Sequence, residues 1–154
     1  MKLIVLVVFS FLTVTMTAQK VMSFEEAKEK GIYPAIEDNY KSGIHADSTK
    51  AVFKEKMAVE KHIKAYQSFL QDLGVFLTEK KFYWTKRTPS FNRIYINADG
   101  TIDYFLYHFR GIPVEKQNGF KALLEEYIKT HKFGVTAPEN FSQCSPVTYS
   151  KSKE

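Results

Sequence analysis

Residues 91–109 read FNRIYINADGTIDYFLYHF and contain two β-forming runs on either side of a turn. Both runs are rich in aromatic and β-branched side chains, which favour strands. Asn97 suits the first position of a type I turn, and Gly100 suits the left-handed position that follows it. The stretch therefore predicts a bulged β-hairpin.

The turn also predicts which side chains share each face of the hairpin. Pairing is expected to run outward from Ile96 and Ile102, so that Ile94 lies opposite Tyr104. These four residues and Leu106 form one apolar face. We expect that face to be part of the core.

The second predicted face of the hairpin is rich in aromatic residues. It consists of Phe91, Arg93, Tyr95, Asp103, Phe105, Tyr107 and Phe109. Soluble domains seldom leave a large aromatic patch bare. We therefore expect a cover, which is a partner, a second copy of the chain, or the chain's own residues 19–46. The candidate binding residues are Phe91, Arg93, Tyr95, Phe105, Tyr107 and Phe109, with Trp84 nearby.

Two amphipathic helices are predicted, one on each side of the hairpin. Across residues 49–79 an apolar residue recurs every seven positions between Val52 and Leu73, and neighbouring rows widen the stripe. Gly74 is expected to bend this helix or to end it early. Residues 115–131 carry a second apolar stripe. Both stripes are broad enough to pack on a sheet.

Further strands are predicted at residues 82–85 and 144–149. The first is expected to end before Pro89, and Pro146 is expected to place the second at a sheet edge. Together these elements predict an α+β fold. It is a small antiparallel sheet, with the bulged hairpin 91–109, packed against two long helices at about 49–79 and 115–131.

The aromatic residues 82–84 are flanked by basic side chains. These are Lys80, Lys81, Lys86, Arg87 and Arg93. Basic residues interleaved with aromatic ones can bind anionic sugars or lipid headgroups. The same lysines can instead protect an edge strand from pairing with another chain.

Residues 91–149 resemble the C-terminal domain of TonB-type energy transducers. The similarity rests on the hairpin sequence RIYINADGTI at 93–102, on the helix at 120–130, and on His131-Lys132-Phe133 leading to Pro138. The resemblance implies an envelope protein that binds its partners by adding an edge strand.

The first 18 residues have the pattern of a secretory signal peptide. Lys2 precedes an apolar run, and small residues follow as far as Ala18. We expect cleavage near Ala18-Gln19, and hence a periplasmic or secreted protein. The predicted organisation is a signal peptide at 1–18, one α+β domain at 19–150 and a polar tail at 151–154.

The composition limits the chemistry that can be expected. The formal charge is +5, and it falls to +4 when residues 1–18 leave with their single lysine. Cys144 is the only cysteine, which excludes an internal disulfide. No histidine pair has metal-ligand spacing, and no cofactor motif is found. The sequence predicts neither a metal nor a cofactor.

These patterns favour an exported, non-catalytic binding protein that uses the aromatic face or an edge strand. The expected partner is an envelope or extracellular protein, or an anionic surface. Nucleic acid is not expected for an exported chain. The alternative function is a small hydrolase or a ligand carrier with a pocket between sheet and helices. In that case a histidine and a carboxylate in contact within a cleft would favour the hydrolase.

Overall fold

The computed structural model describes residues 20–150 of the 154-residue chain. The predicted signal peptide and the tail at 151–154 lie outside the described residues. The helices and strands are β1 (Lys20–Ser23), α1 (Phe24–Glu29), β2 (Lys41–Ser42), α2 (Lys56–Glu79), β3 (Thr88–Ile96), β4 (Ile102–Phe109), α3 (Val114–Thr130) and β5 (Phe141–Tyr149). Single 3-10 turns occur at Ala35–Asn39 and Ser48–Lys50.

The five strands form one sheet in the order β1-β4-β3-β5-β2. The three central strands are antiparallel, as predicted, whereas the short edge strands β1 and β2 pair in parallel with β4 and β5. The long helices α2 and α3 supply buried residues to the same core as the sheet. The predicted α+β class with two long helices is confirmed.

The hairpin turn is confirmed in detail. The Asn97 N–H donates to the Thr101 carbonyl at 2.8 Å, and the Gly100 N–H donates to the Asn97 carbonyl at 2.9 Å. Gly100 has a φ of 84°, in the left-handed region that favours glycine. A Cβ at Gly100 would lie 2.7 Å from the Phe133 carbonyl oxygen, so the turn also packs closely on the loop after α3.

The predicted register beyond the first pair is wrong. Ile96 lies opposite Ile102 as expected, but Tyr95 then pairs with Tyr104, so Asp103 is an extra residue in β4. This bulge reverses the faces of every later residue of β4. Phe105 lies opposite Ile94 and faces the main core, whereas Leu106 and Tyr104 belong to a smaller cluster elsewhere.

The first long helix begins at Lys56, later than the predicted start near residue 49. Residues 51–53 are held in an extended form instead, since the N–H groups of Val52 and Phe53 donate to the carbonyls of Ser42 and Gly43. Ala51 forms a parallel bridge with Ser42. This segment therefore continues the sheet edge. The helix also runs through Gly74 to Glu79 without ending early.

The predicted strand at residues 82–85 is absent, because this part of the described chain is an irregular connection. Strand β3 instead begins at Thr88 and includes Pro89. Pro89 is tolerated because β4 already ends opposite Ser90. The missing Pro89 N–H therefore removes no hydrogen bond to β4.

Two hydrophobic clusters lie within residues 20–150. The larger contains the buried residues of α2, α3 and the central strands together with Trp84, and the smaller is built around Met22, Ala27, Ile36, Tyr95 and Leu106. The smaller cluster is the cover that α1 and Ala35–Asn39 provide for the sheet. Among residues 20–150, no helix is long and apolar enough to span a membrane.

Candidate binding groove

Four of the predicted binding residues belong to the main core, three of them on the hairpin and the fourth being Trp84. Phe105, Tyr107 and Phe109 are all buried, and they contact Phe120 or Phe69 from the long helices. The bulge at Asp103 explains this placement, because it turns these rings towards the helices. They therefore form no surface that a partner could reach in the folded monomer.

Tyr95 and Arg93 face the other way and are covered by the N-terminal segment. Glu37, from the 3-10 turn Ala35–Asn39, accepts hydrogen bonds from the Arg93 guanidinium and from the Tyr95 hydroxyl. The Tyr40 ring packs on Tyr95 with 5.1 Å between centroids. Burial raises the pKa of the Tyr95 hydroxyl, so this group stays a neutral donor to the carboxylate.

Phe91 is the one predicted aromatic that stays open to solvent, with 38% of its surface exposed. Its ring packs against that of Phe24 from α1, with 5.8 Å between the ring centroids. Because its predicted neighbours Phe105, Tyr107 and Phe109 are in the core, Phe91 does not belong to a continuous aromatic face. The structure thus brings together only Phe91, Arg93 and Tyr95 on that side of the sheet.

Trp84 leads to a different site. A half-open groove of about 420 Å³ lies between the second half of α2 and the end of β5, with Trp84 in its wall. The groove is lined by Leu70, Gln71, Gly74, Leu77, Phe82, Trp84, Val147, Thr148, Tyr149 and Ser150. This volume lies within the range of about 300–1,000 Å³ typical of small-ligand sites, and most of the lining is apolar.

Gly74 opens the groove from the helix side. It lies in the interior of α2, and an added Cβ would meet no atom within 4 Å. Its φ is not in the left-handed region, so the backbone does not require glycine. A glycine at such a position costs a helix about 1 kcal/mol relative to alanine. Neither backbone conformation nor packing in the monomer explains this residue, and the space that it leaves is part of the groove.

The opposite wall is held rigid by aromatic contacts. Trp84 stacks on Tyr149 with 5.2 Å between ring centroids and meets Phe82 edge-on at 5.1 Å. The Asn92 amide donates to the Tyr149 hydroxyl at 3.1 Å. Burial raises the pKa of Tyr149, so its ring remains uncharged beside the groove. These contacts fix the position of the wall in the folded monomer.

The edge of β5 lies open beside this groove. The Ser142 carbonyl accepts from the Gly43 N–H and so points away from β3, and every second residue of a strand shares that direction. The backbone groups of Cys144, Pro146 and Thr148 therefore point outwards as well. Within the described chain, β2 pairs with β5 only at Phe141 and Ser142. The prediction that Pro146 lies on an open edge is confirmed for this part of β5.

Histidines do not form a catalytic arrangement with acids in the groove. His108 contacts Glu25 at 2.8 Å, but this pair lies on the outer surface between β4 and α1, and neither residue lines the groove. His62 is fully buried and donates from Nε2 to Gln143 at 2.6 Å. Within residues 20–150 no three His, Cys, Asp or Glu residues are grouped as a metal site.

The comparisons with known proteins return nothing for this chain. No protein-family model, no curated protein and no solved structure matches it.

The sequence pattern points to Trp84 but does not indicate the groove. The signal was present, because Gly74 interrupts the apolar stripe of α2 without ending the helix. A helix glycine has many explanations in a sequence, and only the position of β5 beside it shows the open space. That position depends on pairing between residues 88–96 and 141–149, which no local pattern indicates.

Proposed function

We propose that the protein is an exported, non-catalytic binding protein, periplasmic or secreted, that holds an apolar ligand in the groove between α2 and β5. The observation that carries this proposal is the groove at Gly74, whose missing side chain leaves apolar space that nothing in the described chain fills. This corresponds to the ligand-carrier alternative of the sequence analysis. The hydrolase alternative gains no support from this groove, whose lining contains no histidine or carboxylate.

The groove has the properties that favour an apolar occupant. Its walls carry aromatic and aliphatic side chains, while Gln71, Thr148 and Ser150 supply a few polar groups for orientation. Burying apolar ligand surface there is favourable by about 25 cal/mol per Å² before the costs of association. Trp84 and Tyr149 stack on each other in this wall, and most of their surface is already buried.

The test is a titration of the mature protein with the neutral fluorescent probe N-phenyl-1-naphthylamine. Wild type is expected to bind the probe saturably, and Gly74→Leu is expected to lose at least about 10-fold in affinity because the new side chain fills the groove. The matched control is Val75→Leu, at a neighbouring residue that is 58% exposed and does not line the groove.

Two outcomes would contradict the proposal. One is the absence of probe binding by wild type. The other is equal binding by wild type and Gly74→Leu while both proteins remain folded by circular dichroism. Gly74→Leu is expected to remain folded, because leucine is a better helix former than glycine and a Cβ at position 74 would meet no atom within 4 Å.

A second candidate function is the recognition of an extended peptide from an envelope or extracellular protein. It is supported by the outward N–H groups of Cys144 and Thr148 on the open edge of β5, to which a strand could be added. The test is capture from envelope extract by wild type, Thr148→Pro and Thr148→Ala. Strand addition predicts that only Thr148→Pro, which lacks the edge donor, loses the captured protein.

A further inference from the structure

One ionisable side chain lies inside the main core and takes no part in the groove. His62, on α2, is fully buried among the rings of Phe53, Phe133 and Phe141. Its Nε2 donates to the Oε1 of Gln143, whereas its Nδ1 has no hydrogen-bond partner within the described chain. The ring is therefore the neutral tautomer with its proton on Nε2, because a proton on Nδ1 would find no acceptor there.

The segment between β2 and α2, residues 43–53, covers this ring, and we call it the strap. The Phe53 ring stacks on the imidazole with 4.6 Å between centroids. An added Cβ at Gly43 would lie 3.0 Å from Cε1 and 3.1 Å from Nε2 of His62. Glycine at this position therefore allows the backbone of the strap to lie directly against the imidazole.

The strap is held by backbone hydrogen bonds and by a small amount of buried surface. The Gly43 N–H donates to the Ser142 carbonyl at 2.8 Å, and the Phe53 N–H donates to the Gly43 carbonyl at 3.0 Å. Of the strap residues, only Gly43, Ala51 and Phe53 are buried, and residues 44–50 are all exposed. A segment with so few buried groups opens at a lower free-energy cost than the core does.

The charged side chains near His62 lie on the surface. Burial lowers the pKa of His62 and the bond to Gln143 acts against it, with no charged group of the described chain among the causes. The ionisable residues on α2, on the strap and its continuation, and on the loop after α3 are all exposed; they are Glu60, Lys61, Lys64, His45, Asp47, Lys50, Lys54, Glu55, His131 and Lys132. Within residues 141–149, β5 carries no charged side chain. An imidazolium at position 62 would therefore have no carboxylate beside it.

We propose that the strap is a pH-sensitive device, in which protonation of His62 in mildly acidic solution releases residues 43–53 from the imidazole and from β5. The imidazolium needs an acceptor for its second N–H, and only the open form offers it water. Release frees the Ser142 carbonyl, so the open edge of β5 extends further towards Phe141. This inference is independent of the proposed function, since His62 does not line the groove.

The expected size of the effect follows from proton linkage. In the open form the imidazole has an ordinary pKa of about 6.5, whereas burial holds its pKa lower in the closed form. The open population is therefore constant above about pH 6.5 and rises as the pH falls below that value. Between pH 7.5 and pH 5.5 the largest rise that this difference allows is about 10-fold.

Hydrogen exchange of the mature protein at pH 7.5 and pH 5.5 measures the opening. Protection factors are compared, so that the intrinsic pH dependence of exchange cancels. The amides of Val52 and Phe53 report on the strap, and that of Ile94, in the central strand, reports on global unfolding. At pH 7.5 the strap amides should be at least about 100-fold less protected than Ile94. Their protection should fall by a further threefold to 10-fold, roughly, at pH 5.5.

Two histidine variants assign the response to one residue. In His62→Gln the protection of Val52 and Phe53 should be the same at both pH values to within about twofold. His45→Gln is the matched control, because it removes an exposed histidine from the strap itself and should keep the wild-type response. A pH series on wild type needs no variant, and the fall in protection should begin near pH 6.5.

Three results would overturn the inference. Equal protection of Val52, Phe53 and Ile94 would mean that the strap opens only when the whole protein unfolds. Protection of the strap amides in wild type that does not change between pH 7.5 and pH 5.5 would mean that acid does not release the strap. A full response that persists in folded His62→Gln would assign the release to another group.

Discussion

Two glycines of this chain have opposite physical roles. Gly100 is required by its backbone, since its φ is 84° and the Phe133 carbonyl lies where a Cβ would be. Gly74 is required by neither its backbone nor its neighbours, and it leaves open space beside a strand. The first residue shapes the fold, and the second shapes the candidate site.

Replacing Gly100 by alanine should destabilise the protein. Left-handed strain and the 2.7 Å approach to the Phe133 oxygen act together, so the expected cost is about 1–3 kcal/mol. Urea denaturation of wild type and Gly100→Ala measures it. Gly31→Ala is a useful control, because its φ is 67° but a Cβ there would meet nothing within 4 Å. Equal losses in the two variants would show that the contact with Phe133 contributes nothing.

His62 should make the stability of the protein depend on pH. It is surrounded by the rings of Phe53, Phe133 and Phe141, and burial holds its pKa below the ordinary value, although the bond to Gln143 acts in the opposite direction. The unfolded chain therefore takes up a proton near pH 6.5 that the folded state resists. The stabilisation is complete above about pH 6.5 and is lost as the pH falls below it.

Urea denaturation at pH 7.5 and at pH 5.5 tests this behaviour. The loss of stability on acidification should be smaller in His62→Gln than in wild type. His45→Gln, which removes an exposed histidine, should behave like wild type. An identical loss of stability on acidification in wild type and His62→Gln would show that His62 does not carry the effect.

At the scale of elements, the hairpin shows how far the sequence could be read. The turn and its first pair follow from Asn97 and Gly100, whose types restrict the backbone locally. The bulge at Asp103 could not be predicted, because residues 102–109 place apolar side chains at both alternate positions. Both faces of β4 pack against hydrophobic clusters. A shift of the register by one residue therefore still buries apolar side chains, and the apolar pattern does not distinguish the two registers.

The start of α2 was misplaced for a related reason. Val52 and Phe53 continue the apolar stripe of the helix and also suit an extended segment at a sheet edge. The spacing of apolar residues alone therefore does not decide between helix and strand here. The deciding interactions are hydrogen bonds to Ser42 and Gly43, which belong to a strand of only two residues. Such a short strand has no periodicity of its own to detect.

The 3-10 turn at Ala35–Asn39 should depend on Glu37. This carboxylate accepts from both Arg93 and Tyr95, and Glu37→Ala would leave a half-buried guanidinium with donors unsatisfied. The expected loss of unfolding free energy is about 1–3 kcal/mol. Glu37→Gln should lose less, since its amide oxygen still accepts. Exchange of the backbone amide hydrogens of Tyr95 and Tyr40 should be faster in Glu37→Ala than in wild type. Unchanged exchange rates would mean that apolar contacts alone hold the turn in place.

At the scale of the whole molecule, the sheet is assembled from strands that are distant in sequence. Strand β1 adds to β4 across more than 80 residues, and β5 joins β3 after α3. The α+β class was predictable, because helix and strand periods are local. The order of the strands was not predictable. The strands β1 and β2 together contain only six residues, and each pairs with a strand that is distant in sequence.

The position of β1 bears on the processing expected from the sequence. Val21 and Met22 are buried, and β1 begins one residue after the predicted cleavage site. Mass spectrometry of the protein from its native host should therefore find a chain that begins at or very near Gln19. A chain beginning at Phe24 should be less stable by about 3 kcal/mol or more, since two buried side chains are lost. Detection of only the full-length chain would contradict the predicted export.

Ligands are proposed to bind in the groove at Gly74 and not on the aromatic sheet face. The most direct test follows the backbone amide chemical shifts of isotope-labelled mature protein by NMR during titration with N-phenyl-1-naphthylamine. Saturable shifts are expected at Leu70, Gly74 and Thr148, with Phe91 and Arg93 unchanged. Shifts confined to Phe91 and Arg93, or no saturable shift at any residue of the groove, would contradict this proposal.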